Sequence, residues 1–180
     1  MVIGNWDNEL VDGSLELINP PAIQHFLITD FLDNLLTAEI KRCDCPWLCL
    51  QTSGVRTGRN KSRLTDLSVV TLEQAKELMN ASAVFQSPPM LIVEVVSPDS
   101  VKRDYRYKRS EYAALEVPEY WIIDPLTAKI TVLLLEEGLY EETVFTGNQQ
   151  IVSQNFPELA IPAAHFVNAA DLVLSSGNLS

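Results

Sequence analysis

The stretch Met90-Leu91-Ile92-Val93-Glu94-Val95-Val96 sets one carboxylate among six apolar residues. An almost wholly apolar run of this length reads as a strand buried on both faces of a sheet. Ser87-Pro88-Pro89 turns the chain before it and Ser97-Pro98 ends it. An ionised carboxylate left unpaired in such a strand costs several kcal/mol. Glu94 is therefore neutralised, paired or bound to metal, unless the strand lies at an edge and Glu94 faces solvent. Asp66 repeats the pattern at the head of the apolar stretch Leu67 to Val70, although Asp at a strand end also serves in turns. Two acids on neighbouring strands can share one Mg2+ (or Mn2+), which prefers oxygen ligands and keeps several waters. The Val95 carbonyl is a further candidate ligand.

The rest of the chain supplies a mixed α/β (α+β) frame for that strand. Leu10 to Ile18 reads as a hairpin turning at Asp12-Gly13. Pro20-Pro21 precede a helix expected from Ala22 to Arg42, with Ile23, Phe26, Leu27, Phe31, Leu35 and Leu36 at helical spacing. Pro46 stops it, and Trp47 to Val55 follows as a strand leading into a basic loop. Thr71 can cap a short helix to about Met79. A second helix is expected from Val101 or Asp104 to Leu115, then a strand from Tyr120 to Ile123. Lys129 to Leu135 and Tyr140 to Phe145 form a β-meander, and Pro162 to Asp171 a short closing helix. We expect one domain over residues 1–180, a central mixed sheet flanked by helices.

The helix after Glu94 brings cations. Asp104, Lys108 and Tyr112 are spaced i, i+4, i+8 and lie near one stripe. They form either a surface ion pair of a few tenths of a kcal/mol or a group in which Lys108 points into a site and Asp104 positions it. The net charge of −11 argues at first against a polyanionic partner. The charge is segregated, however. Arg56, Arg59, Lys61 and Arg63 form one basic cluster. Lys102, Arg103, Arg106, Lys108 and Arg109 form another. Both suit the phosphates of DNA, or else are solvated faces. His25 sits among apolar neighbours on the first helix, either structural or a member of the site. Cys43, Cys45 and Cys49 lack paired zinc spacing and read as reduced thiols. No apolar run reaches the roughly 18 residues of a membrane helix, and Met1 to Leu10 has no basic cluster of a leader, so a cytoplasmic protein is expected.

The stretch Glu94-Val95-Val96-Ser97-Pro98-Asp99-Ser100, then Asp104, Lys108 and Tyr112, then Val117-Pro118-Glu119-Tyr120-Trp121-Ile122-Ile123-Asp124-Pro125, resembles the Uma-type family of restriction endonucleases. That family belongs to the PD-(D/E)XK nuclease superfamily. The resemblance implies the restriction-endonuclease-like fold, with Asp66 and Glu94 as metal-binding acids. The superfamily usually has a lysine two residues after the Glu, where this chain has Val96. In this family the lysine looks displaced onto the next helix, which nominates Lys108. Thr65 stands where the family usually has Pro, and His25 matches a position where it usually has His.

These readings converge on a Mg2+-dependent endodeoxyribonuclease. Asp66, Glu94, Lys108 and Asp104 would be catalytic, with His25 and Tyr112 as further members of the site. A homodimer would bring two sites to two strands, with the apolar C-terminal meander as its interface. Two alternatives stand beside it. One is an inactive nucleic-acid- or protein-binding module on the same fold, which should lose the acids. The other is a two-carboxylate glycosidase, which would need an open cleft with aromatic platforms.

Overall fold

The computed structural model describes residues 8–169. The fold begins with β1 (Asn8–Val11) and β2 (Ser14–Leu17), paired antiparallel with Val11 opposite Ser14. The two loop residues, Asp12 and Gly13, have φ of 48° and 82°. A two-residue loop with both φ positive is the type I′ turn that Asp-Gly favours. Helix α1 (Ile23–Arg42) buries Ile28, Leu32, Leu36 and Ile40, one turn apart on one side. Lys41 and Arg42 in its last turn suit the negative end of its dipole.

A long hairpin follows, β3 (Trp47–Gly58) and β4 (Lys61–Thr71). Thr71 and Gln74 cap α2 (Leu72–Glu77) reciprocally, each side chain accepting from the other's backbone N–H. Next come β5 (Val84–Phe85) and β6 (Leu91–Val95). A π-helical turn, Arg103–Lys108, runs into α3 (Arg109–Ala114). Then come β7 (Glu119–Asp124), β8 (Lys129–Glu136), β9 (Leu139–Thr146) and α4 (Ala163–Val167).

The strands form one nine-stranded mixed sheet in the order β2-β1-β4-β6-β7-β8-β9, with β3 paired to both β4 and β5. β6 pairs parallel to β7, and β3 parallel to β5; the other pairs are antiparallel. Alternation along β6 divides the interior. Leu91, Val93 and Val95 join α1 and α4 in one core, while Ile92 and Val96 join Tyr112, Tyr120 and Ile122 in the other. Glu94 shares the second face.

One irregularity positions the site. β4 meets β1 at Ser62 and β6 only from Leu67 onward. Between those points β1 and β6 splay apart, and β4 has no strand on that side. On its other side the β3 ladder also breaks, running from Gln51–Leu67 to Ser53–Thr65 and omitting Thr52 and Asp66. Thr52 there has φ 51°, which is rare for a β-branched residue.

Three expectations change. Asp66 does not open a strand; it lies inside β4, because the strand continues to the hairpin tip. The first basic cluster accordingly lies along the β3–β4 hairpin, with Arg56 in β3 and Lys61 and Arg63 in β4, not in an open loop. Cys43 and Cys45 are joined by a disulfide, correcting their reading as free thiols; Asp44, at φ 51°, turns the chain so that their Cα atoms lie 5.2 Å apart. Cys49 is free. The closing helix is the short α4, and Asp171 lies outside the described residues. No helix among the described residues is long and apolar enough to cross a membrane.

Left-handed backbone costs a non-glycine residue about 1–2 kcal/mol. Thr52→Gly should remove that strain, offset in part by the larger unfolded-state entropy of glycine. The expected outcome is a thermal midpoint higher by roughly 2–4 °C. Calorimetry showing a midpoint unchanged or lowered would contradict the strain at Thr52.

Candidate active site

The fork between β1 and β6 leaves backbone groups of β4 without ladder partners, and side chains take them up. Leu64 N–H donates to Glu9 Oε1 at 3.2 Å, and Leu64 O accepts from Lys108 Nζ at 2.8 Å. At the end of β6, Val95 N–H donates to Asp66 Oδ2 at 2.7 Å. Buried backbone groups demand partners, so the same geometry that opens the sheet recruits Glu9, Lys108 and Asp66 to one place.

Glu94 is 2 % exposed. Its Oε2 lies 2.8 Å from Lys108 Nζ, and its Oε1 accepts from the Tyr112 hydroxyl at 2.8 Å. Lys108 also lies 3.4 Å from Glu9 Oε1 and 3.9 Å from Asp104 Oδ1. The π turn carries both Asp104 and Lys108 inward, and both are buried. Asp104 is thus the farthest of the four oxygens around the lysine, beyond hydrogen-bonding distance and a weaker anchor than the i, i+4 spacing suggested. Asp66 Oδ2 also meets His25 Nε2 at 3.0 Å, which ties the site to α1. The side chains of His25 and Asp66 are 15 % and 24 % exposed, so the site opens to solvent on their side.

The electrostatics are lopsided: the carboxylates of Glu9, Asp66, Glu94 and Asp104 surround one ammonium. Burial, reinforced by Asp66 and Asp104 and opposed by Lys108, pushes the Glu94 carboxyl up to about 8. Burial lowers the Lys108 ammonium, but the four carboxylates outweigh it and hold the group above its ordinary value. Burial raises the Asp66 carboxyl, yet the His25 hydrogen bond and charge, with Lys108 and the Val95 N–H, bring it below the ordinary range. His25 is raised, Asp66 overcoming the effect of burial.

A divalent cation fits this donor chemistry. The acceptors are all hard oxygens, negative charge is in excess, and Asp104 Oδ1 is buried without a hydrogen-bond partner. Among the described residues no three His, Cys, Asp or Glu side chains form a ready-made cage. An ion would rest on Asp66 and Glu94 with backbone and water oxygens, the sparse protein shell that suits Mg2+.

The basic residues divide. Arg63 is buried, with Nη1 on Glu9 Oε2 at 2.8 Å and a two-point contact to Glu111 at 2.8 and 2.7 Å. This corrects its reading as a phosphate contact: it is a structural cation. Lys61 pairs with Asp12 at 3.1 Å, and Arg109 pairs with Glu142 and donates to Tyr140 O. Arg59, Lys102 and Arg106 are exposed, and Arg56 and Arg103 are half-buried. Tyr105 donates to Asp124 at 3.0 Å, and Tyr107 lies under Lys102.

Glu9 was not among the residues singled out in the sequence. Its one signal is cross-strand: the type I′ register sets it opposite Glu16. Like charges in that position are unfavourable unless one carboxylate has a cation elsewhere.

With this geometry in view, comparison with known proteins decides the family. The Uma2 family, described as "Putative restriction endonuclease", matches residues 4–164. The chain belongs to that family. No curated protein matches the sequence significantly. Among solved structures, a crystal structure described as a putative nuclease belonging to DUF820, from Anabaena variabilis, superposes with a TM-score of 0.75. It is 17% identical and the match covers 90% of each chain. The shared architecture is the restriction-endonuclease-like fold: a large mixed sheet flanked by helices.

Two outcomes check the electrostatics of this Uma2 member. Removing one partner of a buried ion pair costs about 3–5 kcal/mol, while removing both is far milder. Lys108→Met should lose that much stability in urea, and Glu94→Gln/Lys108→Met should regain part of it; a double variant no better than the single would refute the pairing. Burial raises the Glu111 carboxyl, but Arg63 and Thr57 bring it below its ordinary 4.5. A depressed folded value stabilises above the unfolded value and fades as pH falls through the folded one. Glu111→Gln should therefore flatten the loss of stability below about pH 4.5, measured by urea midpoints across pH.

Proposed function

We propose that the protein is a Mg2+-dependent endodeoxyribonuclease acting through Asp66, Glu94 and Lys108. The observation that carries this reading is Glu94: a carboxylate in the middle of an apolar sheet, beside Asp66 and reached by a lysine from the following helix. Its place in the Uma2 family supports the same reaction class. Asp66 and Glu94 would hold Mg2+ (or Mn2+), with the Val95 carbonyl as a third oxygen. When bound, the ion lowers the pKa of a water and offsets charge on the scissile phosphate.

The chain's own groups do the rest. His25 fixes the Asp66 carboxylate through Nε2 and keeps it ionised. Tyr112 fixes Glu94 from the opposite oxygen. Lys108, with its charge held by its neighbours, can orient a water or stabilise the developing negative charge. Asp104 helps keep that lysine in place. Arg56, Arg59, Lys102, Arg103 and Arg106 are the cations that can guide the DNA backbone, Lys61 and Arg109 only by leaving surface ion pairs of small worth. With a net charge of −11, binding to non-specific DNA should be weak and salt-sensitive. Residues 1–180 act as one domain in this reading, in the cytoplasm, and a homodimer would set two sites against two strands. The non-catalytic module on the same fold is the competing reading, and retention of both acids and the lysine weighs against it.

The test is Mg2+ or Mn2+ titration with plasmid and single-stranded DNA, using wild type, Asp66→Asn and Glu94→Ala. Loss of several kcal/mol of transition-state stabilisation predicts cleavage slower by roughly 10³-fold in either variant, and a chelator should abolish wild-type cleavage. No cleavage by any of the three, with ion binding equal in wild type and Glu94→Ala, would sink the nuclease reading.

A further inference from the structure

We propose that Glu9, on the N-terminal hairpin, is the positioning residue that receives Lys108 when Glu94 turns to a divalent cation. The inference rests on the metal-dependent reading above and deepens it. Lys108 Nζ is bonded at 2.8 Å to both Glu94 Oε2 and Leu64 O, and its remaining side faces Glu9 Oε1 at 3.4 Å and Asp104 Oδ1 at 3.9 Å. Glu94 therefore serves two masters. A cation seated on Asp66 and Glu94 draws Glu94 away from the lysine, and the lysine is 3 % exposed. A buried ammonium stripped of its counter-ion is strongly unfavourable, so the exchange needs a second carboxylate already in reach.

Glu9 is built for that. It is 1 % exposed and each of its oxygens is held. Arg63 Nη1 fixes Oε2 at 2.8 Å, and the Leu64 N–H fixes Oε1 at 3.2 Å. Arg63 is itself clamped by Glu111, whose Oε2 also accepts from Thr57 at 2.8 Å. The lysine can stay on Leu64 O and pivot from Glu94 to Glu9, two acceptors it already touches. Asp104 is farther away and has an unpartnered oxygen, so it is less firmly placed to take the charge. The hairpin thereby becomes part of the site, although it carries no proposed metal ligand.

The experiment is Mn2+ binding by calorimetry to full-length protein, with folding of each variant checked by its melting curve. Glu9→Gln should leave Lys108 competing for Glu94 and weaken Mn2+ binding about tenfold, one such factor being about 1.4 kcal/mol. A merely structural role for Glu9 would lower the melting temperature without changing the affinity of folded protein. A simple loss of negative field would weaken binding whether or not Lys108 is present. The cycle with Lys108→Gln separates these: the effect of Glu9→Gln should vanish in that background. An affinity unchanged in Glu9→Gln, or a loss that persists without Lys108, overturns the proposal while leaving the metal site intact. Wild-type protein that binds no Mn2+ overturns the metal reading and this inference with it. Should Lys108→Gln fail to fold, 15N-lysine NMR with Mg2+ decides instead. The Lys108 ammonium signal should remain protected from exchange on Mg2+ addition in wild type and lose protection in Glu9→Gln. Equal protection in both overturns the proposal.

Discussion

Leu64 has a strand on only one side. Its N–H and C=O face the gap where β1 and β6 part company, and neither is left to water. Glu9 and Lys108 fill the gap instead. A sheet is ordinarily self-sufficient in hydrogen bonds, and its side chains are free to pack. Here a local failure of strand pairing makes ionisable side chains part of the backbone's own network. The positions of Glu9 and Lys108 are thus tied to the main chain of β4.

The charge arrangement follows from that constraint. Glu9 must be a hydrogen-bond acceptor to serve Leu64, and once buried as a carboxylate it needs a cation. Arg63 supplies one, and Glu111 then completes Arg63. The chain of partners runs from the hairpin through β4 to α3. Its members are held by contacts to charged groups, which are about twice as strong as neutral ones. This explains how a net-acidic protein can bury Arg63 and Lys108 while leaving several other cations near the surface.

Much of this was legible in the sequence, and the legible part has a common character. Glu94 stood out because a charge in an apolar strand has few physical solutions. Lys108 and Tyr112 followed because helical spacing aligned them, and His25 came from the family resemblance. The Asp-Gly hairpin and the Thr71 cap are local chemistry. What escaped depended on contacts far apart along the chain. Glu9 and Leu64 are 55 positions apart, and Arg63 and Glu111 are 48, so no local pattern links them. Asp66 was misplaced within its strand because polar residues on β4 concealed that the strand continues past the fork. Glu119 shows why burial alone does not mark a site. It is as buried as Glu94, yet neutral donors from Trp121 and Asn155 satisfy it.

The π turn from Arg103 to Lys108 carries a consequence for descent. Such a turn holds one more residue than the α-helical turn it replaces. Each residue of an α-helix advances the face by about 100°. Deleting a single codon within Arg103–Lys108 would rewind the segment as ordinary helix and rotate Asp104 away from the face that Tyr112 presents. Every carboxylate on the sheet would remain, and Lys108 and Tyr112 would keep their own spacing of four, yet Asp104 would no longer lie beside the lysine that meets Glu94. One indel would thus take the cluster apart and leave the fold in place. The number of residues between Glu94 and Tyr112 therefore matters to this cluster as much as the acids themselves do.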